Sequence, residues 1–329
     1  MELNPGKLLS IIVPVYNEEK NILTLLSQFD RQSIHGFEVI IVDDGSTDKT
    51  VSLIDEYSPQ HFTIILLRQK NMGAACAREH AIRFSRRLYI AFIDCDDGLA
   101  ENALELAMQP LIQNSDVDIS LFRLNYISEL DGEITNQFKC FRDDKVIDGK
   151  DAFENCISYW GLHGFGIYSK GLILSAYDIY HKYNHEHVNY INNDEVISRV
   201  AFYLAGKISL SGGDYFFVNN MSSTTRRVNE NYYKVIYNTF ILNDIINDVF
   251  LDCKKNINEK LAELIISTVW GTFVRYIKWR NLLSKEAKIL WRDNLKTACK
   301  SITIKCNKNS LNRKSQLQFF ILKSYFRWL

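Results

Sequence analysis

The stretch Leu88-Tyr89-Ile90-Ala91-Phe92-Ile93-Asp94-Cys95-Asp96-Asp97 decides how the chain is read. Its first half is a short apolar run of the kind that forms a strand buried in a parallel sheet. Three carboxylates then crowd the end of that strand, just before Gly98. In open α/β sheets, ligands bind beyond the carboxyl ends of the strands. Like charges this close repel unless something positive sits among them. A hard divalent cation takes carboxylate oxygens and commonly bridges to phosphates. Asp94-Cys95-Asp96 therefore reads as a metal and nucleotide site. The other reading is an acidic, solvated turn, and Asp-rich turns are common; these residues alone leave both open.

The residues on the N-terminal side repeat the pattern. Ser10 to Val15 reads as a strand, and Asn17 caps a helix that carries Glu18 and Glu19 in its first turn and runs to about Asp30. Phe37 to Val42 is a second strand ending in Asp43-Asp44-Gly45-Ser46, with Ser46 or Thr47 capping a helix from Asp48 to Tyr57. Phe62 to Leu67 is a third, and Asn71-Met72-Gly73 opens a helix from Ala74 to about Ser85. Strands and helices that alternate with short joins make a βαβ array. Right-handed crossovers put Asp43, Asp44, Asn71 and Asp94 to Asp97 on one edge of the sheet.

Beyond the acidic stretch the pattern changes. Ala100 to Gln113 reads as a helix, Val117 to Tyr126 as a long strand, and residues 128–150 as a polar hairpin or insertion. Gly161-Leu162-His163-Gly164-Phe165-Gly166 is a glycine-rich loop that suits a mobile segment over a site. Ile191 to Gly206 holds an amphipathic helix with Asn193, Asp194 and Glu195 in its first turn, and Lys207 to Val218 looks like strand pieces. After about Asn229 the chain reads helical to its end.

Composition narrows the class. The 329 residues are 47% hydrophobic and 24% charged, with 4 Pro and 15 Gly, which is an ordinary globular balance. The formal net charge of zero gives no sign of a nucleic-acid partner. No window reaches the ~18 apolar residues of a membrane span; the best, Leu264 to Val274, is bounded by Glu263 and Arg275. No secretory signal is expected, because the early apolar run is short and contains Pro14. The seven cysteines lack a Cys-x-x-Cys pair and suit reduced thiols in a cytosol.

Four segments in order resemble the family 2 glycosyltransferases of the GT-A fold. They are Ile12-Val13-Pro14-Val15-Tyr16-Asn17-Glu18-Glu19, Val42-Asp43-Asp44-Gly45-Ser46-Thr47-Asp48, Asn71-x-Gly73-x-x-x-Ala77-Arg78, and the DxD segment Phe92-Ile93-Asp94-Cys95-Asp96-Asp97. Asn193-Asp194-Glu195, with Ala205-Gly206-Lys207-Ile208 after it, resembles the family's Glu-Asp segment, although Asn193 stands where a glutamate is usual. Tyr215-Phe216-Phe217 and Ser223-Thr224-Thr225-Arg226 resemble the closing strand and tail of the catalytic domain. The fold implied is α/β: a GT-A, Rossmann-like, nucleotide-sugar-binding domain with a mixed central sheet, followed by a helical C-terminal region. The division expected is a catalytic domain over 1–228, with a nucleotide-sugar-binding half at 8–105 and an acceptor-binding half at 106–228, then the helical region at 229–329.

The resemblance also implies roles. Asp96 would bind Mn2+ or Mg2+, and Asp94 would meet the ribose, or the metal through water. Asp97 would orient its neighbour or touch the donor sugar, with Cys95 between them. Asp44 would accept the uracil N–H of a UDP-sugar; its alternative is to cap the following turn. Asn71 and Gly73 would line the nucleotide, the backbone of Pro14, Val15 and Tyr16 would lie under base and ribose, and Asn17 would follow. Arg78 would reach the acidic site or a phosphate, or make a structural salt bridge to Asp94 or Asp97. Asp194 would be the general base of an inverting transfer, with Glu195 the runner-up.

His163 and Phe165 are candidates for acceptor contact, and Tyr159 and Trp160 for stacking on sugar rings or for the core. His181, His185 and His187 read as surface or groove residues, or as a metal cluster. The tail after Asp293 has eight Lys or Arg and no acidic residue. Its basic and aromatic mixture suits either peripheral contact with the inner face of a membrane, or packing and homo-oligomer contact. The activity expected is metal-dependent transfer to a glycan or lipid-linked glycan in surface-polysaccharide or lipopolysaccharide synthesis. A non-catalytic nucleotide- or glycan-binding module is the alternative. A nucleotidyltransferase lacks its glycine-rich basic loop after the first strand, and a dinucleotide dehydrogenase its Gly-x-Gly-x-x-Gly.

Overall fold

The structure is a computed structural model that describes residues 4–129, 132–185, 191–218, 227–250, 257–305 and 311–327. Ser223 to Arg226, His187 and the last two residues lie outside them. The chain divides into two compact units. One comprises Met1–Phe153, Gly161–Asp178 and Ile197–Asn220; the other comprises Glu154–Trp160, Ile179–Val196 and Met221–Leu329.

The first unit is built on a ten-stranded sheet. β1 (Leu9–Val15), β2 (Glu38–Asp43), β3 (Thr63–Arg68) and β4 (Tyr89–Phe92) are parallel, in the order β3-β2-β1-β4. β1 and β2 are buried along almost their whole length, which is why their sequences are unbroken apolar runs rather than alternating ones. β3 is an edge strand and is only half-buried. The helices between them are α1 (Ile22–Asp30), α2 (Thr50–Glu56) and α3 (Ala74–Phe84). α1 buries Ile22, Leu25, Leu26 and Phe29, the spacing of one helical face.

α1 starts four residues later than its sequence suggests. Asn17 is not its N-cap but takes a left-handed backbone, φ +57°, and the Glu18 carbonyl accepts from the N–H groups of Asn21 and Ile22. The intervening residues are bonded across to the next loop instead.

The sheet then becomes mixed. The short β5 (Gly98–Leu99) leads to α4 (Ala103–Gln113) and the long β6 (Val117–Ile127). The polar segment after β6 supplies β7 (Ile134–Gln137), β8 (Val146–Asp148) and α5 (Gly149–Asn155). The glycine-rich loop runs into a strand not foreseen in the sequence, β9 (Gly166–Ser169), which lies antiparallel between β4 and β6. A Cβ on Gly166 would sit 2.5 Å from the Ser120 carbonyl oxygen, so only glycine allows that approach. α6 (Lys170–Tyr183) and α7 (Asn193–Leu204) follow, and β10 (Lys207–Val218) is one strand, parallel to β6, with a bulge between Leu210 and Asp214.

The second unit contains α8 (Val235–Asp248), α9 (Ile257–Trp279), α10 (Lys285–Lys305) and α11 (Arg313–Arg327). Trp291 is fully buried and its indole N–H donates to the Glu230 carbonyl at 2.7 Å. Tyr232, Tyr233, Tyr276 and Trp279 pack around it. The segment after Asp293 is therefore no detachable tail: Leu295, Ala298 and Ile302 continue the buried face of α10. No described helix is long and apolar enough to cross a membrane.

Candidate functional site at the strand ends

The loops that follow β1, β2 and β3 are laced together by short polar bonds. The N–H of Asn17 donates to Ser46 Oγ at 2.9 Å, and Asn17 Oδ1 accepts from the Thr47 N–H at 2.8 Å. Glu18 N–H donates to Thr50 Oγ1 at 2.7 Å, and Lys49 N–H to Glu19 Oε2 at 3.1 Å. Asp43 Oδ1 accepts from the Ser46 N–H at 3.0 Å, closing the turn after β2.

Asp44 ties the second loop to the third. Its carboxylate is 3% exposed. Oδ1 accepts from Gln69 Nε2 at 2.9 Å and from the Met72 N–H at 2.8 Å, and Oδ2 accepts from the Gly73 N–H at 2.7 Å. Gly73 has φ +88°, a backbone that suits glycine, and it is the residue before α3. Asp44 thus caps the loop Gln69 to Gly73 rather than its own turn. Tyr16 and Met72, 46% and 53% exposed, are the large side chains these loops present to solvent.

The acidic stretch divides into distinct environments. Asp94 is half-buried, and its Oδ1 accepts from Arg78 Nη2 at 2.5 Å. Of the two salt bridges open to Arg78, to Asp94 or to Asp97, the structure makes the one to Asp94. Asp97 is buried; its Oδ2 accepts from the Tyr215 hydroxyl at 2.6 Å and its Oδ1 from the Val218 N–H at 2.9 Å. Burial, reinforced by Asp94, pushes the Asp97 carboxyl well above the usual carboxylate range. Asp97 thus anchors β10 to the strand end. Cys95 is buried, and burial raises its thiol well above the ordinary value, which suits packing rather than reactivity.

Asp96 is half-buried beside these groups. Glu18, absent from the sequence-based candidates, joins them: burial raises its carboxyl, and after an opposing bond from Asn21 the next causes are Asp96 and Asp94. Its appearance in the three-residue run Asn17-Glu18-Glu19 gave no sign of this. Gln69 and Tyr215 were missed for the same reason, since their partners lie 25 and 118 residues away.

Among the described residues no three His, Cys, Asp or Glu form a group arranged to hold a metal ion. What the chain offers a divalent ion is one or two carboxylates at a strand end. That set fits magnesium-type sites, in which substrate phosphates and water complete the coordination. His187 is outside the described residues, so the histidine cluster is not seen as a whole; His181 lies on α6 and His185 is exposed just after it.

The glycine-rich loop is packed, which corrects its reading as a mobile segment. Leu162 is fully buried and His163 is 6% exposed. His163 Nδ1 accepts from the Phe165 N–H at 3.3 Å, and its ring meets Phe138 edge-on at 5.0 Å. Burial lowers its pKa to about 4. Phe165 packs 4.8 Å from the Tyr215 ring and 5.8 Å from Phe217. Both side chains expected at an acceptor surface thus belong to the packing behind Tyr215. Tyr159, by contrast, is 54% exposed, with Trp160 beside it half-buried.

In the second unit Asp194 is exposed in the first turn of α7. Asn192, at φ +61°, accepts the Glu195 N–H on its carbonyl at 3.3 Å and donates its side-chain amide to Glu195 Oε1 at 3.1 Å. Asn193 is buried. Glu195 is thus engaged in capping, while Asp194 faces solvent.

With the geometry established, comparison places it among known proteins. Residues 10–166 match the family model described as glycosyl transferase family 2. The chain is 27% identical over 282 residues to glycosyltransferase GlyG of Streptococcus pneumoniae, covering 83% of this chain and 87% of GlyG. It is 39% identical over 101 residues to the chondroitin synthase of Escherichia coli, but that match spans 31% of this chain and only 15% of the synthase. The fold is that of S. aureus TarS 1–349: the complex of that protein with UDP-GlcNAc superposes with a TM-score of 0.66 at 18% identity, covering 97% of this chain and 91% of that one. Its complex with UDP gives 0.64 at 19% identity, over 96% and 87%.

Proposed function

Because the chain belongs to the family 2 glycosyltransferases, we propose that it moves a sugar from a UDP-sugar to a glycan or lipid-linked glycan acceptor, with inversion at the anomeric carbon. The observation that supports this reading is the cluster at the β4 end. Asp96 and Glu18 stand half-buried beside Asp94, where three cross-bonded loops meet. Such a site, at the carboxyl ends of parallel strands, suits a charged nucleotide. TarS binding of UDP and UDP-GlcNAc, on the same fold, supports a UDP-linked donor.

In this reading Asp96 holds the Mn2+ or Mg2+. The ion, when bound, neutralises charge on the leaving diphosphate. Arg78 keeps Asp94 oriented and brings one positive charge to the acidic edge. Asp97, through Tyr215 and Val218, fixes the turn that carries Asp96. The exposed Tyr16 gives the base an apolar ring to rest on. Asp194 takes the proton from the acceptor hydroxyl as its oxygen bonds to the anomeric carbon and the bond to the diphosphate breaks.

Isothermal titration of UDP in the presence of Mn2+, with turnover measured against a panel of nucleotide sugars, is the test. Wild-type protein is expected to bind UDP in a chelator-sensitive way, and Asp96→Ala to lose that sensitivity. Equal UDP affinity in both proteins, with and without chelator, refutes the metal assignment; binding without any transfer or donor hydrolysis favours a non-catalytic module.

A further inference from the structure

We infer that the outward face of α11 docks on an anionic lipid surface. The helix has two opposed faces. Ser315, Gln318, Phe319, Leu322 and Phe326 are buried, and the Phe326 and Tyr325 rings meet Phe273 of α9 at 5.9 and 4.9 Å. Asn312, just before the helix, donates to Glu263 Oε1 of α9 at 2.6 Å, so both ends of α11 are seated. The opposite face has no need to be apolar for folding, yet Leu317 is 61% exposed, Phe320 68% and Ile321 38%. Their spacing of three and four residues puts them in one stripe.

The charge around that stripe selects the partner. Arg313 and Lys314 are exposed at one end and Lys323 is half-buried near the other. The helix from Arg313 to Arg327 contains no Asp or Glu. A second copy meeting this face across a two-fold axis would set these cations against each other, a like-charge arrangement that disfavours association. An anionic membrane surface satisfies both features, taking the apolar stripe at its headgroup boundary and the basic residues at its phosphates. The helix would lie in the plane of the surface, held rigid from behind by α9. This reading does not depend on the reaction proposed above, because its residues are remote in sequence from the strand-end loops.

Co-sedimentation of the full chain with vesicles tests it, using phosphatidylcholine alone and phosphatidylcholine mixed with phosphatidylglycerol, each at low and high salt. Binding is expected only to the mixed vesicles and is expected to weaken with salt. Lys314→Gln should lower partitioning about fivefold, equivalent to ~1 kcal/mol for one basic residue near such a surface. Phe320→Ser should lower it by roughly tenfold through lost apolar burial. Both residues are exposed, so circular dichroism and UDP binding should not change. The inference is overturned if the full chain ignores the mixed vesicles at low salt, or binds both vesicle types equally. It is also overturned if the chain sediments as an oligomer that Phe320→Ser converts to monomer, since the face is then a self-contact.

Discussion

Replacing Asp44 by Asn changes a single atom group at a buried junction, and the structure gives the consequence a size. Three donors converge on the carboxylate: two on Oδ1, from Gln69 Nε2 and Met72 N–H, and one on Oδ2, from Gly73 N–H. An asparagine can turn its oxygen to only one of the two positions. With oxygen at the Oδ1 position, its NH2 faces the Gly73 N–H, donor against donor; the reverse rotamer opposes two donors and is worse. A bond to a charged group is worth ~1.5–3 kcal/mol, and a buried donor left unsatisfied costs ~1–3 kcal/mol. Asp44→Asn should therefore destabilise the fold by about 3 kcal/mol, read as a fall in the urea midpoint with an unchanged slope. UDP affinity should fall too, because Gln69 to Gly73 loses its tether. A stability change below about 0.5 kcal/mol, the range of ordinary surface substitutions, would refute this reasoning. If such a variant also discriminated poorly between UDP and other nucleotides, Asp44 would be acting on the base itself.

Three further outcomes follow from the same geometry. The pKa of His163, lowered by burial to about 4 from an ordinary 6.5, means that the unfolded chain binds the proton first; stability should be complete above about pH 6.5 and fall by up to about 3 kcal/mol as the pH drops to 4, and His163→Gln should remove that part of the slope in pH-dependent denaturation. Tyr215→Phe deletes the hydroxyl that donates to Asp97 Oδ2 at 2.6 Å, and should cost ~1.5–3 kcal/mol in chemical denaturation; a change within error would show that Val218 alone suffices to hold Asp97. Asp194→Asn should leave UDP affinity within a few-fold while reducing transfer ~10²–10⁴-fold, the usual worth of a general base; near wild-type transfer would place the base elsewhere.

The sequence by itself determined the parallel half of the sheet and the edge that carries the acidic loops. The apolar runs at β1, β2 and β4 report burial on both faces, and the short polar joins after them report turns, both of which are local properties of a few consecutive residues. The same locality explains why Asp43, Asp44, Asn71 and Asp94 to Asp97 could be placed on one edge, since right-handed crossovers bring the strand ends of βαβ units together; Arg78 was marked by the family resemblance with Asp94 and Asp97 both open as partners, and the structure pairs it with Asp94. What only the tertiary structure decided involves partners far apart in the chain. Asp97 takes its bonds from Tyr215 and Val218, more than a hundred residues on, and nothing in an aromatic strand sequence marks that hydroxyl. Glu18 looks like the first turn of a helix, a good place for an acid on dipole grounds, but bonds to the next loop delay α1 to Ile22, and Glu18 lies where burial, with Asp96 and Asp94, raises its carboxyl. Gly161 to Gly166 has the composition of a flexible loop, yet β9 is inserted between β4 and β6, and His163 is carried inside with it. In α11 the sequence showed a helical, basic and aromatic segment, whereas which of its side chains meet α9 and which meet solvent was settled by packing against Phe273, because burial depends on the neighbour and not on the helix alone.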